Sequence, residues 1–263
     1  MRFTSSIIAV ALASSFAFAA PLDARDNHKQ STTTSSSMPT SAPAAPAAPK
    51  DPLLTQKIFL SDLASDRFKL LPKNEDFVFN FNQEKGKGGK GGDLFAANRK
   101  TFPALVGTGS GMAVGFLGPC GFNTPHVHPR AAELQIVVKG KLVTEMLPEN
   151  GVFNGADKTT GRRVIRNELT QYQMQPFYQG SVHAQFNPTC EEAVFIASFN
   201  NEDFGTGQIA DELFAMDDEI VAATFGQAID GAEVAKFKKN KVIPESIALG
   251  VEQCLATCKI AAR

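Results

Sequence analysis

The chain has no tryptophan, two tyrosines and four cysteines, whereas it has 21 phenylalanines. It also has no block of basic residues, and its formal net charge at pH 7 is −1. Because a positive patch is missing, electrostatics give no reason to expect nucleic acid as a partner. No apolar run reaches the ~20 residues that a bilayer-spanning helix needs, so we expect no membrane attachment of the mature chain.

The first residues have the features of a secretory signal peptide. Met1-Arg2 provides a short positive start, residues 7–18 are mostly apolar, and residues 17–19 give the Ala-Phe-Ala pattern that precedes a cleavage site. The sequence therefore predicts a cleaved leader over residues 1–19. We expect the mature protein to be secreted, either extracellular or in the cell wall.

The segment that follows the leader is built from Ser, Thr, Pro and Ala. Residues 31–37 are all Ser or Thr, and four prolines follow between positions 39 and 49. Such a composition offers almost no apolar surface whose burial could offset the entropy of ordering the chain. We interpret residues 20–51 as a disordered linker, either O-glycosylated or unmodified.

The rest of the chain has the size of one domain, and its middle is rich in short strands. Runs of Val, Ile and Phe between Gly, Pro or Asn clusters predict strands at 77–82, 112–117, 133–138, 141–147, 163–167, 172–177 and 193–199. Helices are expected only near the end, at 220–225, 230–236 and 247–258. This order predicts an all-β sandwich or barrel over 52–210, followed by a helical extension over 211–263.

Every histidine after His28 lies in one of two short patches. The first contains His126, His128 and Glu133, and the second contains His183. Residues two apart in an extended chain face the same side, so the first two histidines can point to one centre. Proline at position 129 interrupts that strand, so Glu133 can join from the next one. Three imidazoles and one carboxylate predict a divalent metal site, for which Mn²⁺, Fe²⁺, Ni²⁺ and Zn²⁺ are all chemically admissible.

These patches carry a resemblance to a known family. The spacing His-x-His-x4-Glu-x6-Gly that begins at His126, and Gly-x2-His-x3-Asn that begins at Gly180, resemble the two motifs of cupins. Residues 124–131 and 198–203 are similar to germins and fungal spherulin-like proteins. The resemblance implies a jelly-roll β-barrel, manganese as the cofactor, and the four residues named above as its ligands. It also implies a homo-oligomer that assembles through C-terminal helices.

The chain departs from germins at positions that bear on the substrate. Asn123 matches one of two asparagines that hold oxalate in germins with oxalate oxidase activity, whereas the other should lie near Ala113, which cannot donate a hydrogen bond. A site designed around such a donor loses much when the donor is absent. We therefore expect poor turnover of oxalate. Two motif positions also differ, because Cys120 replaces a glycine and Tyr178 replaces a proline.

Three hypotheses for the function follow from the resemblance. The first is an oxidoreductase whose metal changes oxidation state and acts on superoxide or, less readily, on oxalate. The second is a non-catalytic cell-wall, spore or encystment protein in which the metal stabilises the fold. The third is a binding module for a small ligand inside the barrel, since the fold alone does not decide the function. The first and third place a small anionic or oxygen-derived ligand at the metal.

Four cysteines in an exported chain predict two disulfides, with three possible connectivities. If His126 and His183 oppose each other on antiparallel strands, the same register places Cys120 almost opposite Cys190. Directly opposed residues have Cβ atoms ~4.5–5.5 Å apart, close to what a disulfide needs. The sequence therefore predicts a Cys120–Cys190 bond. The other two cysteines are one helical turn apart and are left as a local bridge or as free thiols.

Overall fold

The computed structural model describes residues 51, 53–82, 85–86, 90–239 and 246–261. The predicted leader and all but the last position of the predicted linker lie outside the described residues. Among the helices in these ranges, none combines the length and the apolar composition of a transmembrane span.

Antiparallel strands account for most of the ordered elements. The strands are β1 (Gly92–Ala97), β2 (Gly111–Leu117), β3 (Gly121–Val127), β4 (Glu133–Lys139), β5 (Lys141–Leu147), β6 (Ile165–Thr170), β7 (Met174–Phe177), β8 (Val182–Phe186), β9 (Ala193–Phe199), β10 (Gly207–Gln208) and β11 (Ile247–Leu249). The helices are α1 (Leu54–Phe59), α2 (Ala64–Leu70), α3 (Ile209–Ala215), α4 (Asp218–Thr224), α5 (Gly231–Lys239) and α6 (Glu252–Thr257). Short 3₁₀ turns lie at Asn74–Phe77, Pro103–Leu105 and Lys158–Thr160.

The strands form two sheets. One sheet has the order β1-β2-β9-β4-β7, and the other has the order β10-β3-β8-β5-β6, with β11 also paired to β3. Burial alternates along β1 and β8, because successive side chains of a strand point to opposite faces. The predicted all-β fold, a jelly-roll β-barrel with C-terminal helices, is confirmed.

The interior of the barrel is filled by apolar side chains from both sheets. Leu117, Val137 and Phe195 are each at most 1 % exposed and belong to one continuous cluster. Burying an aliphatic or aromatic side chain of this kind contributes about 1.5–3 kcal/mol. The cluster extends to Phe199, whose ring contacts the imidazole of His128. The apolar core therefore directly supports the polar residues of the candidate site.

The sequence predicted helices only near the end of the chain, but the structure also has two helices before the first strand. The helices α1 and α2 precede the first strand, where Ile58 packs against Leu71 and Val106. The strand predicted at 77–82 does not form, and a 3₁₀ turn ends at Phe77 instead. Helices of six or seven residues span less than two turns, so they carry too little periodicity to be distinguished from loops or strands.

The predicted helix at 247–258 begins with a strand and is helical only in its second half. Ile247, Ala248 and Leu249 form β11, which pairs with Gly121–Asn123 of β3, and α6 starts only at Glu252. The edge of β3 has room for this strand because β10 is two residues long. This short apolar run therefore forms a strand rather than a helix, because the edge of β3 is available for pairing.

The helices predicted at 220–225 and 230–236 are present as α4 and α5, whereas α3 was not predicted. The Asp217 carboxylate accepts a hydrogen bond from the Glu219 N–H and caps α4. Val221 of α4 and Val234 of α5 are fully buried, while Ile220 is 56 % exposed. Part of the apolar surface of these helices is therefore buried within the chain, and part is exposed.

Candidate metal centre

Two neighbouring strands and one strand of the facing sheet bring the four predicted ligands together. His126 lies on β3 directly opposite His183 on β8, His128 follows the end of β3, and Glu133 begins β4. Their potential ligand atoms all lie within 4.8 Å of one another. Each of the four residues is at most 5 % exposed.

Each imidazole is fixed by a backbone carbonyl at its Nδ1 atom. The distances are 2.7 Å from His126 to Thr124 O, 2.6 Å from His128 to Gly205 O, and 2.9 Å from His183 to Ser181 O. A carbonyl oxygen can only accept, so each Nδ1 carries a proton. A neutral ring held in this way leaves its Nε2 atom unprotonated and directed at the cluster, which is the tautomer that lets Nε2 bind a metal.

The Nε2 atoms face a carboxylate. Those of His128 and His183 lie 3.0 Å and 3.2 Å from Oε2 of Glu133. Two nitrogen lone pairs directed at a carboxylate oxygen repel it unless a proton or a cation lies between them. A divalent cation shared by all four residues removes the repulsion with a single charge, so the donor set fits a first-row metal ion.

The electrostatics of the cluster favour the protonation states that a metal needs. Burial raises the pKa of Glu133, but the close contacts of its carboxylate with the imidazoles of His128 and His183 outweigh burial and hold the pKa at about 2. Burial, aided by the nearby His183, lowers the pKa of His126 to about 3. At neutral pH, the carboxylate is therefore charged and the His126 ring is neutral, as metal coordination requires.

Aromatic rings fix the planes of two of the imidazoles. The ring of His183 stacks on Phe177 at a centroid distance of 4.4 Å and an interplanar angle of 13°. His128 meets the edges of Phe199 and Phe204 at 4.7 Å and 5.7 Å. These contacts restrict ring rotation and keep water away from the imidazole faces.

The loop after β9 supplies the carbonyl that holds His128. Gly205 has φ +67°, a conformation that glycine adopts without the cost of a Cβ atom. Arg130 fixes this loop, since its Nε donates to the Asp203 carbonyl at 2.7 Å and its guanidinium pairs with the Asp203 carboxylate at 2.8 Å. The residues 198–203 that resemble germins therefore position the loop that orients a ligand.

A cavity of about 230 Å³ opens at the ligand cluster. Its apolar lining consists of Leu94, Ala96, Ala113, Phe195, Ala197, Phe199 and Phe204. Its polar lining, besides His126, His128 and Glu133, consists of Asn123, Thr206, Gln208 and Ser246. The described lining thus contains no lysine or arginine.

Both positions that the resemblance singles out for the substrate line this cavity. The Nδ2 atom of Asn123 donates to Gln185 Oε1 at 2.9 Å, and its buried Oδ1 has no hydrogen-bond partner among the described protein atoms. Ala113 is 4 % exposed and offers only a methyl group. Asn123 therefore retains hydrogen-bonding capacity for a ligand, whereas Ala113 has none.

The sequence reasoning missed Gln208 and Ser246. Gln208 belongs to β10 and lies opposite His126, while Ser246 directly precedes β11. Both strands are too short to give a period-two pattern. The apolar run at 247–249 could have indicated a strand next to the cavity. Because it was assigned to a helix, the position of Ser246 in the cavity lining was not predicted.

The predicted Cys120–Cys190 disulfide is wrong. Cys120 is bonded to Cys254, with Cα atoms 5.7 Å apart, and Cys190 is bonded to Cys258, with Cα atoms 5.3 Å apart. No cysteine is left free. The two disulfides therefore connect α6 to the end of the barrel rather than one barrel strand to another.

The reason lies in where the strands stop. The predicted pairing of His126 with His183 is present, but β3 starts at Gly121 and β8 ends at Phe186, so both barrel cysteines lie beyond the paired residues. Cys120 has φ +56° and is completely buried, whereas Cys190 is exposed. Cysteines four apart on a helix share one face, so α6 can bond to both.

Comparisons with known proteins agree with this geometry. The family model described as cupin matches residues 79–233. Spherulin-1A of Physarum polycephalum is 32% identical over 216 residues, which cover 81% of this chain and 82% of that protein. Germin-like protein 1-1 of Oryza sativa subsp. japonica is 30% identical over 207 residues, which cover 74% of this chain and 91% of that protein.

Solved structures give the same fold. An oxalate oxidase in complex with the substrate analogue glycolate aligns with a TM-score of 0.55 at 21% identity, covering 64% of this chain and 81% of that one. The likeness at this level of identity concerns the fold alone. With the family match and the relatives above, it leads to one conclusion: this chain belongs to the cupin family and is similar to spherulins and germin-like proteins.

Proposed function

We propose that this chain is an exported manganese-binding cupin that acts as an oxidoreductase on superoxide or, less readily, on oxalate. The observation that carries the proposal is a cluster of three imidazoles and one carboxylate: each Nδ1 donates to a backbone carbonyl, and the Nε2 atoms of His128 and His183 face Glu133. Export rests on the leader-like residues 1–19.

At such a centre, the residues of the chain and the metal ion would have different roles. His126, His128, Glu133 and His183 would hold the ion, and manganese when bound supplies one-electron oxidation and reduction. Three neutral imidazoles and one carboxylate leave a single positive charge on a divalent ion. That charge attracts a small anion into a cavity whose described lining has no other cation.

Oxalate is the weaker candidate substrate because of Ala113. Its methyl group lines the cavity where germins with oxalate oxidase activity have a hydrogen-bond donor. The apolar neighbours Leu94 and Ala96 offer no replacement donor. Superoxide is smaller and needs fewer contacts with the protein, so the missing donor at Ala113 matters less for its binding than for that of oxalate.

A second candidate function is a non-catalytic cell-wall, spore or encystment protein. Two disulfides connect the C-terminal helix to the barrel, and the ligand cluster is almost completely buried. Both features suit a protein in which the metal contributes stability. The similarity to Spherulin-1A agrees with such a role but does not distinguish it from catalysis.

We also propose that the protein is a homo-oligomer. Ile220 of α4 is 56 % exposed and Phe225 after it is 44 % exposed, although both are large and apolar. An apolar surface of this kind on an otherwise polar helix pair is typical of a contact between subunits.

Metal analysis combined with two assays tests the proposal. The protein purified without added metal should contain close to one manganese per chain, should disproportionate superoxide, and should release little hydrogen peroxide from oxalate. His183→Ala should lose the metal, because removing a ligand costs more than the ~10–100-fold in affinity that a neighbouring residue costs. Ala113→Asn should raise the rate with oxalate.

The matched control is His28→Ala, which removes the one histidine outside the two patches. Retention of one tightly bound metal by His183→Ala would show that the site is misassigned. A manganese-loaded wild type that is inactive in both assays, but melts at a lower temperature after the metal is removed, would favour the structural role.

A further inference from the structure

The two disulfides are neighbours at one end of the barrel. Cys120 lies in the turn before β3, Cys190 lies in the turn before β9, and α6 brings Cys254 and Cys258 to them. The sulfur atoms of Cys120, Cys254 and Cys258 all lie within 4.8 Å of one another. One sulfur of the Cys190–Cys258 bond is therefore close to both sulfurs of the other bond.

The two bonds differ in their access to solvent. Cys190 is exposed and Cys258 is half-buried, whereas Cys120 is completely buried and Cys254 is 9 % exposed. The buried pair packs in an apolar cluster with Leu255. Because thiol–disulfide exchange requires access to the sulfur that is attacked, a reductant in solution reaches the Cys190–Cys258 bond first.

Reduction of this exposed bond creates a nucleophile beside the buried one. A dithiol that reduces the bond becomes a disulfide itself and leaves two thiols, on Cys190 and Cys258. The thiolate is the species that attacks a disulfide. Cys258 belongs to the group of three close sulfur atoms, and Cys190 does not. Cys258 is therefore the thiol that is placed to react with the Cys120–Cys254 bond.

The geometry of α6 favours attack on the sulfur of Cys254. Cys258 directly follows the last residue of α6, and its N–H donates to the Cys254 carbonyl at 2.9 Å, so the two cysteines lie one helical turn apart. Four residues of helix rise about 6 Å, which lies within the Cα separations that a disulfide tolerates. Both cysteines also move together, since they share one short helix.

We propose that the four cysteines form a redox-sensitive exchange site, at which a dithiol that reduces the Cys190–Cys258 bond leads to the release of α6 from the barrel. The thiolate of Cys258 forms a bond with Cys254 Sγ, and the Cys120–Cys254 bond breaks. Cys120 leaves as a thiolate and takes up the proton that Cys258 lost. A single two-electron reduction therefore removes both covalent links, and the one remaining disulfide lies within α6.

Release would weaken the cover on the edge of β3. Three residues of β11 pair with β3 at Gly121–Asn123, and the Gly250 N–H donates to the Cys120 carbonyl at 2.8 Å. This short pairing and the apolar contacts of α6 remain after exchange. A segment with so few contacts opens locally more often than the barrel strands do. The segment also lies outside residues 79–233, which the cupin family model matches.

Partial reduction of the folded wild type with dithiothreitol tests the inference. After an acid quench, free thiols are alkylated and the peptides are mapped without further reduction. Alkylation should appear on Cys190 and Cys120, and Cys254 and Cys258 should be found as a bridge within one peptide. The amide hydrogens of Ile247–Leu249 should exchange faster in this product than in the untreated protein.

Cys190→Ser and Cys258→Ser are the matched pair, because each variant removes the exposed bond and leaves one thiol. Cys190→Ser keeps the thiol near the buried bond and should yield the Cys254–Cys258 bridge without any reductant. Cys258→Ser should keep the Cys120–Cys254 bond.

Three results would overturn the inference. The first is a partly reduced wild type in which Cys190 and Cys258 are alkylated and the Cys120–Cys254 peptide stays intact. The second is loss of the Cys120–Cys254 bond at the same rate in wild type and in Cys258→Ser, which would mean direct reduction by dithiothreitol. The third is a Cys120–Cys258 bond as the main product, because α6 would then stay attached to the barrel.

Discussion

The two ionisable residues with the most perturbed environment, Glu133 and His126, both make folding sensitive to acid. The unfolded chain protonates His126 near pH 6.5, whereas the folded, metal-free chain does so only at a pKa of about 3. Between these values, the unfolded state binds more protons, so stability rises with pH. Glu133 adds to the effect, because its pKa of about 2 in the folded state lies below the ordinary glutamate pKa of 4.5.

We therefore expect the free energy of unfolding of the metal-free protein to fall as pH is lowered from 6.5 toward 3. Urea denaturation at a series of pH values, after the metal and chelator have been removed, measures this. His126→Gln should show a shallower decrease between pH 6.5 and 4.5, where the histidine contribution dominates. Identical slopes in wild type and variant would contradict the assignment of the effect to His126.

At the residue scale, the four residues of the candidate metal centre could be predicted from the sequence, but their hydrogen-bond partners could not. The spacing of His126 and His128 is a local property of an extended chain, so it is visible in the sequence. The carbonyl of Gly205, which orients His128, lies 77 positions away in the chain. Such a contact depends on how the loop after β9 folds back, which no local pattern encodes.

At the scale of elements, the segment formed by β11 and α6 differs most from its prediction. The strands β5 and β9 begin and end where the sequence predicts, because each is a long apolar run bounded by turn residues. The apolar run at 247–249 has no such length, and its strand state depends on the open edge of β3. The disulfides depend on this same docking, so their pairing was also mispredicted.

The exposed disulfide should contribute measurably to stability. Cys190→Ser combined with Cys258→Ser removes a bond that links residues 68 positions apart. The loop-entropy model assigns a loop of that size about 4 kcal/mol, an upper value here because the second disulfide already restrains the unfolded chain. Thermal denaturation should show a lower Tm for the double variant.

The matched control is wild type in which the exposed bond alone has been reduced and alkylated. Its Tm should approach that of the double variant. A double variant as stable as untreated wild type would mean that β11 pairing and the buried Cys120–Cys254 bond are sufficient to hold the segment.

At the scale of the whole molecule, several large apolar residues remain at the surface of the first sheet. Met112, Leu134 and Met174 are 39 %, 48 % and 56 % exposed. They lie on β2, β4 and β7, where Leu134 pairs with Ser198 and Pro176, and Met112 pairs with Ser198. The outer face of this sheet and the exposed side of α4 are therefore two surfaces that are available for association.

Sedimentation velocity at micromolar concentration should show a species larger than the monomer. Leu134→Lys places a charge in the apolar face and should shift the distribution toward the monomer. Glu149→Lys, at an exposed position after β5, is the matched control and should leave the distribution unchanged. A wild type that sediments only as a monomer would contradict the proposed homo-oligomer.

The crossed order of the two disulfides has a consequence for proteolysis of the chain. Cys120 is bonded to Cys254, and Cys190, which lies between them in the sequence, is bonded to Cys258, which lies beyond them. If a protease cleaves any single peptide bond between Cys120 and Cys258, at least one disulfide still joins the two fragments. The two fragments of a cleaved molecule therefore stay together until the disulfides are reduced, and the strands that carry the four candidate ligands stay covalently connected.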